Sequence, residues 1–134
     1  MNFNKIIFYR LPLILYCIFI FWQSSYPSPD SLPSFLFSDK IMHFAGYALL
    51  GGLVIRALYK EELNLSRGWL IFSAIVFSVL YGLSDEIHQS FVAQRSADAL
   101  DFAADAAGSA VGVVIYSLGM KKPVNKNSPT GYIK

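Results

Sequence analysis

Four long stretches of the chain contain no charged side chain, and apolar residues dominate each of them. These stretches are residues 11–29, 41–55, 68–84 and 106–120. A helix rises about 1.5 Å per residue, so about 20 residues cross the hydrocarbon core of a bilayer. The pattern therefore predicts an all-α fold, a four-transmembrane-helix bundle within residues 1–120. The predicted helices lie at about residues 6–23, 40–59, 68–88 and 100–120.

Composition supports a membrane location. Apolar residue types make up 54% of the 134 residues and charged types only 15%, whereas soluble domains carry roughly a quarter charged residues. A chain of this length is too short to wrap four such helices in polar structure. Two alternatives stay open. In the first alternative, one apolar stretch is re-entrant or interfacial and three helices span the bilayer. In the second, the first helix is a cleaved signal peptide, although residues 23–27 offer no small-x-small cleavage site.

The basic residues predict the orientation. If the amino terminus is inside, nine of the eleven Lys and Arg residues fall on the cytoplasmic side, and only Lys40 and Arg95 fall outside. This asymmetry follows the positive-inside rule and places both termini in the cytoplasm. Residues 121–134 contain lysines, prolines and a glycine, and we expect a flexible basic cytoplasmic tail there. The net charge of +2 is too small to indicate a nucleic-acid partner.

Acidic residues and both histidines gather at the predicted outer ends of the helices. The second to fourth apolar stretches are 15 to 17 residues long, so helices that span the bilayer must include polar residues from their outer ends. Counting back from the inner ends places Asp105 about 6 Å inside the hydrocarbon boundary. His43, Asp85 and Glu86 fall at or just within the same boundary.

Helical spacing arranges these residues in stripes. The stripes are Asp39, His43 and Tyr47; Tyr81, Asp85 and His88; and Asp98, Asp101, Asp105, Gly108 and Gly112. A carboxylate that faces lipid costs several kcal/mol, so the acidic faces should pack inward and form a polar pocket in the outer half of the bundle. The glycine pair permits close helix approach within one chain or between copies, which leaves the oligomeric state open.

Some of these residues have simpler explanations. His43 suits a cap or an interhelical hydrogen bond, Asp98 suits the N-cap of the fourth helix, and Asp101 suits the helix dipole. Asp105 lies too far from the start of the helix to act as an N-cap or to interact with the helix dipole. It is therefore the strongest candidate for a functional residue. Crowded carboxylates must be protonated, paired or bound to a cation. The candidate ligands for a divalent metal are Asp85, His88, Asp101 and Asp105.

Two segments resemble the signatures of the VanZ-like family of bacterial membrane proteins, and together they cover about residues 39–115. The first reads Asp39-Lys40-x-x-His43-Phe44-x-x-Tyr47-x-x-Leu50-Gly51. The second reads Tyr81-Gly82-x-Ser84-Asp85-Glu86-x-His88-Gln89-x-Phe91, followed by Arg95-Ser96-x-Asp98, Asp101-x-x-x-Asp105 and Gly108. Ala93-Gln94 stands where members of the family often carry Pro-Gly.

The resemblance implies a multi-pass protein of the bacterial cytoplasmic membrane, with residues 1–120 forming one VanZ-like domain. The family takes its name from a protein linked to low-level teicoplanin resistance, so the resemblance also implies a role in envelope modulation or glycopeptide resistance. The candidate polar site comprises Asp39, His43, Tyr47, Asp85, Glu86, His88, Gln89, Arg95, Asp98, Asp101 and Asp105.

Three functions fit these observations. The first is a binding or envelope-modulating protein that holds a lipid-linked or cationic small molecule in the polar pocket. The second is a membrane enzyme acting on lipid head groups, with a divalent metal and with His43 as general acid or base. The third, an ion pathway, is the weakest because the inner halves of the helices offer few polar residues. Whether the chain is an enzyme stays open, no cofactor is assigned, and the bilayer is the first expected partner.

Overall fold

The protein is built from α-helices. The computed structural model describes residues 3–27, 38–61, 63 and 65–120. Within these residues, four helical segments are long and apolar enough to cross a membrane, which confirms the predicted all-helical bundle. The helices are α1 (Leu11–Ser24), α2 (Ser38–Lys60), α3 (Arg67–Gln89) and α4 (Ala99–Leu118). The tail predicted at residues 121–134 lies outside the described residues.

A short π-helical segment precedes α1 and is continuous with it. Ile6–Arg10 has π-type turns and runs directly into α1, so the apolar span is Ile6–Ser24. Pro12 lies next to this junction and has no backbone N–H to donate, which fits the change from π-type to α-type hydrogen bonding there. Ile20 and Ser24 are the buried residues of α1. Most of the surface of this helix is therefore left for contact with lipid.

α2 and α4 form the closest helix pair of the described chain. A Cβ atom on Gly108 would overlap the backbone carbonyl of Phe44, and a Cβ atom on Gly112 would overlap that of Ala48. The two backbones touch because these positions lack side chains, as small-residue spacing permits. The glycine pair thus serves packing within the chain.

α3 brings polar groups to one end of the bundle. The side chain of Ser66 caps its first turn by accepting a hydrogen bond from the backbone of Trp69. The buried residues recur every three or four positions and change from apolar to polar along the helix, in the order Leu70, Ala74, Ser78, Gly82, Asp85, Glu86 and Gln89. We call the end where α1 and α3 finish, and where α2 and α4 begin, the polar end.

Polar contacts attach α1 to the rest of the bundle. The Tyr81 hydroxyl donates to the backbone carbonyl of Cys17 at 2.6 Å. The Tyr16 hydroxyl donates to the backbone carbonyl of Gly46 at 3.0 Å. At the opposite end, Arg10 forms a two-bond ion pair with Glu61, and both distances are 2.7 Å. These few contacts connect α1 and the segment before it to the rest of the bundle, while α1 itself buries little apolar surface.

Replacing Tyr81 by Phe is expected to lower the free energy of unfolding by about 1 kcal/mol, because the ring stays in place while the hydrogen bond to Cys17 is lost. The measurement is a sodium dodecyl sulfate titration followed by circular dichroism. Tyr26→Phe removes a hydroxyl from an exposed ring and is the matched control. Equal losses in the two variants would contradict a role for the Tyr81 hydroxyl in holding α1.

Candidate polar site at one end of the bundle

The deepest polar contact joins α2 to α4. His43 Nδ1 lies 2.9 Å from Asp105 Oδ1, and a proton on this nitrogen makes the imidazole the donor. Asp105 is fully buried, at 0% exposure. It packs on Gly82 of α3, where a Cβ atom would stand 3.1 Å from the Asp105 Cβ. The missing side chain at Gly82 therefore makes room for a buried carboxylate.

Glu86 adds the third helix to this contact. Its Oε2 accepts a hydrogen bond from the backbone N–H of Asp98 at 3.0 Å. Its Oε1 lies 3.9 Å from His43 Nδ1, which is too long for a hydrogen bond. Among the described residues, Glu86 Oε1 and Asp105 Oδ2 are buried oxygens without a hydrogen-bond partner. Two carboxylates and one imidazole thus lie close together, and one oxygen of each carboxylate accepts no hydrogen bond.

Lys40 gathers three carboxylates nearer the surface. Its Nζ lies 2.8 Å from an oxygen of Asp39, of Asp98 and of Asp101. Asp98 is also the N-cap of α4, because its side chain accepts from the backbone of Leu100. The hydrogen bond from Lys40 is the main reason that the pKa of Asp98 lies below its ordinary value. The ammonium group of Lys40 therefore forms ion pairs with three carboxylates.

A second chain of hydrogen bonds runs from Arg95 to Asp85. Arg95 donates to the side-chain oxygen of Gln89 at 3.2 Å, and Gln89 donates to Asp85 at 3.1 Å. Arg95 also donates to the backbone carbonyl of Tyr26, at the end of α1. The preceding residue, Gln94, has φ of 64°, a left-handed conformation that favours glycine. A glycine would fit at this position without strain.

His88 points away from the buried contact and toward α1. Its Nε2 lies 3.0 Å from the Ser25 hydroxyl, and its ring stacks on Phe21 with 4.6 Å between the centroids. Sequence analysis did not single out Phe21 of α1 or Ser25, which directly follows α1, because neither residue belongs to a distinctive spacing. Side chains one or two positions apart on a helix face different directions, so Glu86 faces α2 and α4 while His88 faces α1.

The structure therefore brings together a group of possible metal ligands that differs from the four residues predicted from the sequence. The candidate ligand atoms of His43, Glu86 and Asp105 all lie within 4.8 Å of one another. Asp105 is the one residue that both sets share. Asp101 is held by Lys40, and Asp85 is held by Gln89.

A cleft of about 250 Å³ opens between α1 and α2 and reaches the polar site. Its surface is largely apolar, and several polar side chains also line it. The lining residues are Tyr16, Phe19, Ile20, Gln23, Asp39, Met42, His43, Gly46, Tyr47, Asp85 and Arg95. The sequence did not predict the contribution of α1, since its residues look like ordinary packing residues until the neighbouring helix is known.

Comparison with known proteins identifies the family. Neither the curated proteins nor the solved structures contain a match to this chain. A family model described as VanZ/LLP1 matches residues 8–120, which is most of the sequence and includes the four helices and the polar site. The match confirms the resemblance found in the two motifs. With its four apolar helices, the chain belongs to the VanZ/LLP1 family of membrane proteins.

Proposed function

We propose that this protein resides in the bacterial cytoplasmic membrane and binds the head group of an amphiphile in the cleft between α1 and α2. In this proposal the polar end faces outward and both termini lie in the cytoplasm. The observation that carries the proposal is a cleft between two helices whose surface is mostly apolar and whose lining includes Asp85 and His43. Small-molecule sites typically combine apolar lining with a few convergent polar groups.

The acidic groups favour a cationic or hydrogen-bond-donating head group. Asp39 and Asp85 both border the cleft, and Asp85 accepts from the neutral amide of Gln89. Among the described residues, no Lys or Arg forms a direct ion pair with Asp85. Arg95 borders the cleft as well, but its guanidinium donates to Gln89 and to the backbone of Tyr26. The negative charge of Asp85 is thus the one best placed to attract a ligand.

The size of the cleft limits what it holds. A volume of about 250 Å³ is below the usual range for drug-sized ligands, which begins at about 300 Å³. A head group or a short alkyl segment fits, whereas a glycopeptide is far too large. A role in envelope modulation would therefore act through a lipid-linked or small cationic amphiphile, and any change in teicoplanin susceptibility would be indirect.

The proposal predicts saturable binding of dodecyltrimethylammonium to the full chain in dodecyl maltoside micelles, which carry no ammonium group, measured by calorimetry. Dodecyl sulfate, with the same alkyl length and the opposite charge, should bind much more weakly. Asp85→Asn keeps the shape of the side chain and removes its charge, so we expect about a tenfold loss of affinity for the cation, the size of one lost charge-assisted contact.

Two neighbouring positions on α2 provide a steric test of the same cleft. Gly46→Leu fills the cleft, because a Cβ atom there meets nothing closer than the Tyr16 hydroxyl at 3.7 Å. Ala45→Leu adds a comparable side chain on the exposed face. Binding should be lost in the first variant and kept in the second. Equal binding by both variants, or equal binding of the two detergents by the wild type, would refute the proposal.

A membrane enzyme that acts on lipid head groups is the second candidate. The observation that favours it is the hydrogen bond between His43 and Asp105, since a carboxylate that orients an imidazole is typical of general acid–base pairs. Conversion of a bacterial lipid extract by the wild type but not by His43→Gln would favour the enzyme. Saturable amphiphile binding without any converted lipid would favour the binding protein.

A further inference from the structure

We propose that His43, Glu86 and Asp105 form a binding site for a divalent transition-metal ion, with one ligand from each of α2, α3 and α4. One nitrogen and two carboxylate oxygens lie within 4.8 Å of one another. The three residues come from separate helices, and each is held in place by packing inside the bundle. Sequence spacing alone does not select this combination.

The buried oxygens are a second and independent observation in favour of a cation. Glu86 is 4% exposed and Asp105 is 0% exposed. Each has one oxygen, Glu86 Oε1 and Asp105 Oδ2, with no hydrogen-bond partner among the described residues. Burying an unpaired charged oxygen is costly, and a metal ion would coordinate the oxygens that the protein leaves unpaired.

The local charge balance points in the same direction. Lys40 is engaged by Asp39, Asp98 and Asp101, so its charge is already shared among three acids. His43 is the single basic group that contacts the two buried carboxylates within the described residues. A divalent cation would neutralise both carboxylates while the imidazole stays uncharged.

The donor set favours one class of metal. Mg²⁺ and Ca²⁺ prefer sites made of oxygen ligands, whereas an imidazole nitrogen suits Zn²⁺, Fe²⁺ or Ni²⁺. Three protein ligands are fewer than the four of a structural zinc site, so one coordination position would remain for water or another ligand. His43 also borders the cleft, which gives that position a route to the surface.

Metal binding requires only a small rearrangement. Zinc bonds to nitrogen and oxygen of about 2.0–2.2 Å in a tetrahedron place the ligands about 3.3 Å apart. The ligand atoms lie within 4.8 Å of one another, so they must approach by at most about 1.5 Å. The proton on His43 Nδ1 must move to Nε2, since the metal takes its place on Nδ1. A neutral imidazole makes this change of tautomer without releasing a proton to the solvent.

The test uses the full chain in neutral detergent, with its affinity tag removed and its metals stripped by a chelator. After dialysis against micromolar Zn²⁺, we expect about one zinc per chain by mass spectrometry, and saturation at one equivalent in a calorimetric titration. Asp105→Asn and Glu86→Gln should each lower the affinity more than a hundredfold, since even residues that only support a ligand cost 10- to 100-fold. Circular dichroism checks that both variants fold.

Two matched variants separate this site from its surroundings. Asp85→Asn removes a carboxylate adjacent to Glu86, and His88→Gln removes the histidine that faces α1. Both should bind Zn²⁺ like the wild type. A metal-free wild type, or equal loss of zinc in Asp85→Asn and Asp105→Asn, would overturn the metal site. Amphiphile binding depends on Asp85, so either proposal can fail while the other stands.

Discussion

Gly112→Ala is expected to disrupt the bundle, with a loss of at least about 3 kcal/mol in the free energy of unfolding or no folded protein at all. The added methyl would overlap the backbone carbonyl of Ala48. This neighbour is helix backbone, which does not swing aside as a flexible side chain does. α2 and α4 would have to separate, and the His43–Asp105 contact that joins them would be lost as well.

Gly52→Ala is the matched control, since it adds the same methyl to α2. A Cβ atom there meets the Gly112 carbonyl at 3.8 Å, an ordinary contact, and alanine favours a helix by about 1 kcal/mol over glycine. We therefore expect unchanged or slightly greater stability. Thermal and detergent unfolding of both variants provide the measurement. Similar stability of the two variants would mean that the α2–α4 backbone contact is not tight.

Lys40→Met is expected to lower the melting temperature at pH 7 by about 5 to 10 °C. The substitution keeps the alkyl chain but leaves the carboxylates of Asp39, Asp98 and Asp101 without their shared cation. Their mutual repulsion acts at the junction of α2 and α4. Lys60→Met removes the same charge from the other end of α2 and should have a much smaller effect.

The effect of Lys40→Met should depend on pH in a defined direction. Lys40 lowers the pKa of Asp98 from its ordinary value of 3.8. The stabilisation is therefore fully present above that value and is lost as the pH falls through the lower folded-state pKa. The melting temperatures of wild type and variant should begin to converge below about pH 4 and meet only below the folded-state pKa of Asp98. A difference that stays constant down to about pH 2 would show that charge is not the cause.

The fold was readable from the sequence because the bilayer imposes a simple constraint. An apolar run of a given length must form a spanning helix, since lipid offers no partner for backbone groups. Charge-free stretches therefore predicted four helices, and the structure has four within its described residues. The spacing of Gly108 and Gly112 likewise predicted a close approach, but not that the partner would be α2 of the same chain.

The arrangement of the polar site was harder to predict because helical spacing gives a face but not the neighbour of that face. Asp105 was singled out by its depth, and it is fully buried. Asp85 and Glu86 are adjacent in the sequence, yet Glu86 contacts His43 whereas Asp85 contacts Gln89. The same reasoning missed that His88 packs on α1. The rotation of each helix about its axis depends on packing that no local pattern contains.

The sparse burial of α1 makes its tilt sensitive to the membrane around it. A helix that packs little against its own protein adjusts to hydrocarbon thickness by tilting, at a cost of fractions of a kcal/mol per ångström of mismatch. α1 forms one wall of the cleft, so a thicker or thinner bilayer would change the gap between the walls. Lipid composition would then act on ligand affinity without touching any residue of the site.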